Sequence, residues 1–457
     1  MSQELTSEQL QKYREEFVAN PVNKILQNTI SSNDIRKLAV NRDQGSVDQH
    51  TFSTQTEPRV NVTNQKSSGR CWMFAALNVI RREMIKKYNL SPDFELSQSY
   101  LFFWDKLERT NYNLECIIQT AHEPVDSRVV STIMGDPVAD GGQWDMIVNL
   151  VRKYGVVPKS VFDETHHSSN SGVMNSLFKM KFRQVALRIR ELVRQPDGEQ
   201  KAREFKERYN QFMYNTLCKM LGTPPTSFTW EYKDKDKNYH RVDAESPQKF
   251  FEEHVPFDLD DYVCVINDPR TGHDYHKLYT VQYLGNIQGG QPVKYLNVPM
   301  DQMKSVTLAS LKGGDAVWFG CDVGKERIDD LMSVDVKEYG NLFDTNFGMS
   351  REDRLNSGES QMTHAMVFSG FNSYEADGEE VVDRWEVENS WGKRGDHNGY
   401  YTMTDTWYDT YMYEVVVHRK YATPEMLNSL QQEEMVELPL WDPMGALARP
   451  IKRRRLK

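Results

Sequence analysis

NQKSSGRCWMFAALNVIRREM, residues 64–84, joins a polar stretch to a helical run, with Cys71 at the junction. No Gly or Pro interrupts the chain from Cys71 to Tyr88. Met73, Leu77, Ile80 and Met84 recur at helical spacing, with Arg81, Arg82 and Lys86 assigned to the opposite face. The pattern predicts a helix that begins at Cys71. A thiol in a first helical turn meets free backbone N–H groups and the positive end of the dipole, both of which favour the thiolate. The flank SGRCW also lacks the apolar neighbours of a buried structural cysteine. A thiolate nucleophile then needs an imidazole to accept its proton and a third group to orient that imidazole.

Among the eleven histidines, His364 is the candidate. It opens the apolar run HAMVFSGF directly after the polar loop LNSGESQMT, which places it at the start of a strand facing a cleft. Further on, WEVENSWG puts Asn389 at the end of a second strand, with Trp391 and Gly392 following. An Asn side chain can hold an imidazole by one hydrogen bond without adding charge, and Trp391 would keep water off that bond. His166 and His167 lie in a polar loop, and His273 and His276 lack neighbours at metal-ligand spacing. No metal or cofactor is expected.

Outward from this centre, the first third reads as helical. Ser7 is a plausible cap for EQLQKYREEFV, ELSQSYLFFWDKLER follows as a helix, and GGQWDMIVNLVRKYG ends at Gly155 with Pro158 close behind. Two long charged helices, a hairpin at WEYKDKDKNYHRV and a helix capped by Ser246 fill the middle. The last third turns to strands, among them DAVWFGCDV, HAMVFSGFN, DRWEVENSW and MYEVVVHRK. Helices first and strands later predict an α+β protein with a helical lobe and a β lobe, and a cleft between them for the site. The expected units are an N-terminal helical arm (1–60), the lobe with the thiol (61–160), a helical and hairpin segment (161–300), the β lobe with His364 and Asn389 (301–420) and a C-terminal arm with a basic tail (421–457).

Composition narrows the function classes. Hydrophobic residues at 39% and charged residues at 27% describe a folded globular chain. No apolar run approaches membrane length, and the start lacks the pattern of a secretory signal, so a cytoplasmic protein is expected. The cysteines at 71, 116, 218, 264 and 321 are odd in number and contain no C-x-x-C pair, which argues against a disulfide framework and leaves thiols free for chemistry. Net charge is −10, and ARPIKRRRLK at the end carries six basic side chains, so the rest stands at −16. An acidic body does not favour phosphate binding. A local basic channel or the tail keeps open a nucleic-acid-associated role, and the tail reads equally as a nuclear address or a plain solvated extension.

Taken in order, QKSSGRCW, GGQW, THAMVFSGF and ENSWG resemble the papain family of cysteine proteases. Two departures stand out: Arg70 replaces the small residue before the nucleophile and puts a cation near the thiolate, and 293 residues separate Cys71 from His364 where about 130 to 150 are usual. Segment 161–300 therefore reads as a large insertion into a papain-like two-lobed fold. Within that family the chain is most similar to the bleomycin hydrolase group of cytosolic aminopeptidases, from the 70-residue lead before the nucleophile to the ending LPLWDPMGALA. The resemblance implies Cys71 as nucleophile, His364 as base and acid, Asn389 as its orienter and Gln65 as oxyanion donor. It also implies that Gly141 and Gly142 let substrate backbone approach, that an arm ending at Ala448 blocks the far subsites and receives the substrate amine with its carboxylate, and that six copies enclose the sites. The tail after Ala448 is expected to be processed or directed outward.

Overall fold

The computed structural model describes residues 4–45, 49–334 and 336–449. The helix Cys71–Tyr88 is buried on nearly every side, and it stops where Asn89 turns left-handed at φ 49° and returns its N–H to the Ile85 carbonyl. Arg81 and Arg82, assigned above to the face opposite the apolar stripe, are buried as well. The apolar stripe is real, but the opposite face meets the β lobe rather than water. Gln98–Gln119 packs alongside, capped by the Ser97 side chain on the Tyr100 N–H. Trp144–Tyr154 completes the trio and ends at Gly155, whose φ of 67° brings the chain against the Pro247 backbone. At the N-terminus the cap is Thr6, not Ser7: Thr6 and Gln9 form a reciprocal capping box, with Ser7 the first helical residue.

Gly172–Val193 and Gly198–Leu221 form an antiparallel pair packed on Gln98–Gln119. The hairpin Phe228–Lys233 and Tyr239–Ala244 follows, then the helix Pro247–His254, capped by Ser246 and started by proline.

A twelve-stranded sheet carries the β lobe. At its centre Met412–His418, Val317–Cys321, His364–Ala376 and Glu379–Glu388 lie side by side, antiparallel. The strands Tyr262–Ile266, Leu278–Val281 and Tyr295–Asn297 extend this sheet on the Met412–His418 side, so the middle segment hydrogen-bonds directly into the β lobe. Central strands covered on both faces read as unbroken apolar runs. Ala365 and Val367 join the core under the helices, whereas Met366 and Phe368 join a second core beneath the sheet. The period-2 alternation of one strand thus feeds both cores and fixes where His364 stands.

Candidate active site

The polar approach to the helix is stitched to the end of a strand. The Gln65 N–H donates to the Ser390 carbonyl at 2.8 Å, and the Gly392 N–H donates to the Thr63 carbonyl at 2.9 Å. Gly392, at φ 76°, has no room for a Cβ beside the Asn64 side chain. These pairings place Gln65 next to the segment of Asn389 and Trp391. Below them, Glu388 bridges Arg81 at 3.1 Å and Arg82 at 2.6 Å, all three buried. The helix of Cys71 and the strand that leads into Asn389 are thereby locked together by one carboxylate.

Cys71 is the first helical residue and is 4% exposed. His364 Nε2 lies 2.9 Å from Asn389 Oδ1, which leaves Nδ1 for the thiol side. The Asn389 oxygen also accepts the Ser390 N–H at 2.8 Å, so two contacts hold that oxygen. Trp391 lies against the imidazole, with ring centroids 4.8 Å apart. The Gln65 Oε1 accepts from Ser390 Oγ at 2.7 Å and its Nε2 donates one hydrogen to the Ser68 carbonyl at 2.7 Å. A second Nε2 hydrogen remains for an oxyanion. Cys71, His364, Gln65 and Gly141 line one cavity of about 260 Å³.

Burial opposes charge on both reacting groups. It pushes the Cys71 thiol up to about 11, only partly offset by the backbone N–H groups of Ala365 and Trp72, and it pushes His364 down to about 4, against the Asn389 hydrogen bond. Transfer of the thiol proton to the imidazole would create both charges together, each offsetting the desolvation of the other.

Arg70, expected to put a cation near the thiol, is committed to another partner. Its guanidinium is fully buried, makes a two-pronged pair with Glu164 at 3.0 and 2.9 Å, and lies 5.1 Å from the ring centres of both Phe74 and Phe102. It anchors the middle segment to the nucleophile loop.

Gly141 and Gly142 have different tasks. A Cβ on Gly142 would lie 2.5 Å from the Trp72 ring, so this glycine serves the packing of Trp72, whose Nε1 donates to the Asp140 carbonyl at 2.7 Å. Gly141 faces the C-terminal arm, with the Leu447 carbonyl pressed against its Cα. Asp140, absent from the expected set, organises this corner: it accepts from the Gly69 N–H at 3.0 Å, Ser171 Oγ at 2.5 Å, Asn175 Nδ2 at 2.7 Å and the buried Lys106 Nζ at 2.6 Å. Although burial opposes its charge, Lys106 and these donors hold the carboxyl well below its usual range. Its position just before the glycine pair is the signal that could have singled it out.

The arm lies in the cleft. Leu447 lines the cavity with Cys71 and His364, Met444 O accepts from Tyr295 at 3.3 Å, and Ala448 O stands 3.5 Å from Arg109 Nη1. Ala448 is therefore an internal amide, not a terminal carboxylate, and the chain runs on into Arg449. That side chain turns inward, buried, with Nη2 2.8 Å from Asn113 Oδ1. Residues 450–457, with the remaining tail, lie outside the described residues.

A profile of the Peptidase C1-like family matches residues 4–445. The chain belongs to that family. Its curated relatives include a bleomycin hydrolase of Rattus norvegicus, 44% identical over 455 residues that cover 97% of this chain and 99% of the relative. An aminopeptidase C of Listeria innocua is 41% identical over 98% of this chain and its own full length. Among solved structures, PepW of Lactobacillus rhamnosis superposes with a TM-score of 0.93 at 41% identity, covering 98% of this chain and 100% of that one. The papain-like α+β fold read from the sequence is thus the fold of this C1-type chain.

Proposed function

We propose that the protein is a cysteine-type aminopeptidase that removes N-terminal residues from peptides, with Cys71, His364 and Asn389 as its catalytic set. The single observation that carries this reading is the arm: Leu447 lies against Gly141 and lines, together with Cys71 and His364, the cavity of about 260 Å³. Full-length similarity to bleomycin hydrolases and aminopeptidases C agrees with it.

In the reaction, Cys71 Sγ attacks the first peptide carbonyl as its proton passes to His364 Nδ1. The Cys71 N–H and the spare Gln65 Nε2 hydrogen hold the developing oxyanion. His364 gives its proton to the leaving amine, the C–N bond breaks, and a thioester remains on Cys71. His364 then takes a proton from water, which attacks the thioester and returns the thiol. Asn389 keeps the ring aligned throughout, and Trp391 shields their bond.

Free thiols at all five cysteines support a cytoplasmic home, and no helix among the described residues is long and apolar enough to cross a membrane. A homohexamer is supported by exposed apolar side chains on the N-terminal helices (Leu10, Phe17, Ile25) and on Gly172–Val193 (Val173, Met180). Light scattering tests it: a particle near one 53.3 kDa chain refutes the assembly.

The activity test pairs a fluorogenic amino-acid amide with its N-acetylated twin under reducing conditions. Cleavage of the free-amine substrate alone, abolished by Cys71→Ala, is expected. Equal cleavage of both, or activity in the mutant, overturns the reading.

A further inference from the structure

A second, larger cavity of about 670 Å³ is lined by Trp391 together with Arg327, Asp330, Arg394, His397 and Tyr401 among others. The Trp391 ring touches both neighbourhoods: its centre lies 4.8 Å from that of His364 and 5.3 Å from the Arg327 guanidinium. Arg327 also lies 5.8 Å from the centre of the Tyr401 ring. The strand pair Arg327–Ile328 and Leu331–Met332 that carries it is hooked onto Tyr400–Thr404, so the cation is placed by the sheet rather than by a free loop.

The geometry of catalysis gives this cavity a use. Leu447 lines the cavity with Cys71, and the leaving amine must depart past His364, the group that protonates it. The remainder of the substrate therefore extends toward Trp391 and the larger cavity that it lines. We propose that this cavity receives the leaving part of the peptide and that Arg327 binds a carboxylate there. That carboxylate belongs either to the C-terminus of a dipeptide or to an acidic side chain at the second residue. The lining also holds Asp329, Asp330 and Asp396. Asp330 Oδ2 is packed away beneath Gly395, whereas Asp329 and Asp396 are exposed. Arg327 is the charge set against the aromatic wall next to His364. Its Nη1 donates to the Asp329 carbonyl, and the remaining N–H groups of a guanidinium beside two rings can take a planar anion by hydrogen bonds.

This inference rests on the aminopeptidase reading, and the experiment separates the two. Alanyl-alanine, its C-terminal amide, alanyl-glutamate amide, alanyl-glutamine amide and an alanine arylamide are compared on the wild type, Arg327→Gln and Arg327→Lys. The wild type is expected to favour a carboxylate-bearing member over its neutral twin through KM, by about tenfold, as for one charge-assisted contact. Arg327→Gln removes that preference, and Arg327→Lys restores part of it. The alanyl-alanine pair reports a C-terminal carboxylate, and the glutamate–glutamine pair reports a side chain. An arylamide left uncleaved by the wild type sinks the aminopeptidase reading itself. With the arylamide cleaved, equal KM values within both pairs, or a preference that survives in Arg327→Gln, overturn this proposal alone.

Discussion

The carbonyl oxygen of Leu447 lies where the Cβ of any side chain on Gly141 would have to stand. The arm and the glycine fit each other at backbone level, so neither can change without moving the other. Gly141→Ala is expected to push the arm out of the cleft. Limited proteolysis should then cut within 439–449 faster than in the wild type, and discrimination between free and acetylated amines should fall by about tenfold or more, the worth of a strong lost contact. An arm as protected as in the wild type would show that the cleft accommodates the methyl group.

Glu388 is the shared anion of two buried arginines, and Asn389 follows it directly. Glu388→Gln leaves two guanidinium groups without a counter-charge, a change that costs about 3 to 5 kcal/mol. Urea unfolding should show this loss, and kcat should fall as well because His364 is oriented from the next residue. Wild-type stability in the variant would mean that water reaches the arginines.

Arg70 and Glu164 provide a test of what the residue before the nucleophile does. Arg70→Ala strands a mostly buried Glu164 carboxylate, at a cost of about 3 kcal/mol. The pH dependence of Cys71 alkylation should change little, since the guanidinium is committed to Glu164. A strong shift of that profile would restore the view of Arg70 as a cation acting on the thiol.

His50 stacks on His397 with ring centroids 3.8 Å apart, and its Nδ1 lies 2.9 Å from Thr402 Oγ1. Burial first, and His397 second, push its pKa from 6.5 down to about 4. His364 is lowered to about 4 by burial. Between about 6.5 and about 4 the unfolded chain binds these protons and the folded chain does not. Stability is therefore fully present above that window and declines as pH falls through it. The urea midpoint should drop between pH 7 and pH 5 by about the amount such linkage allows, and His50→Gln should reduce the drop. A pH difference identical in wild type and variant would rule out His50 as a contributor.

Much of the site was legible because its residues sit at element boundaries that the sequence marks plainly. Cys71 starts a helix free of Gly and Pro, His364 starts a buried strand, and Asn389 ends another. The burial of Arg81 and Arg82 was not legible for a physical reason: a helix pattern reports which face is polar, not whether that face meets water or a buried carboxylate far away in the chain. Thr6 was legible through its capping box and was passed over for the neighbouring serine.

By itself, the sequence determined the α+β class, the order of helices and strands, and the placing of a thiol, an imidazole and an amide at element boundaries, because helix and strand periodicity and chain breaks are local. Only the tertiary structure decided that Gly141 faces the arm while Gly142 faces Trp72, that Arg70 belongs to Glu164, that Asp140 ties the corner to Lys106, and that Ala448 continues inward to Arg449. Those relationships depend on close approach and on the pairing of buried charges between segments far apart in the chain, and no local pattern encodes which distant partner a buried charge will meet.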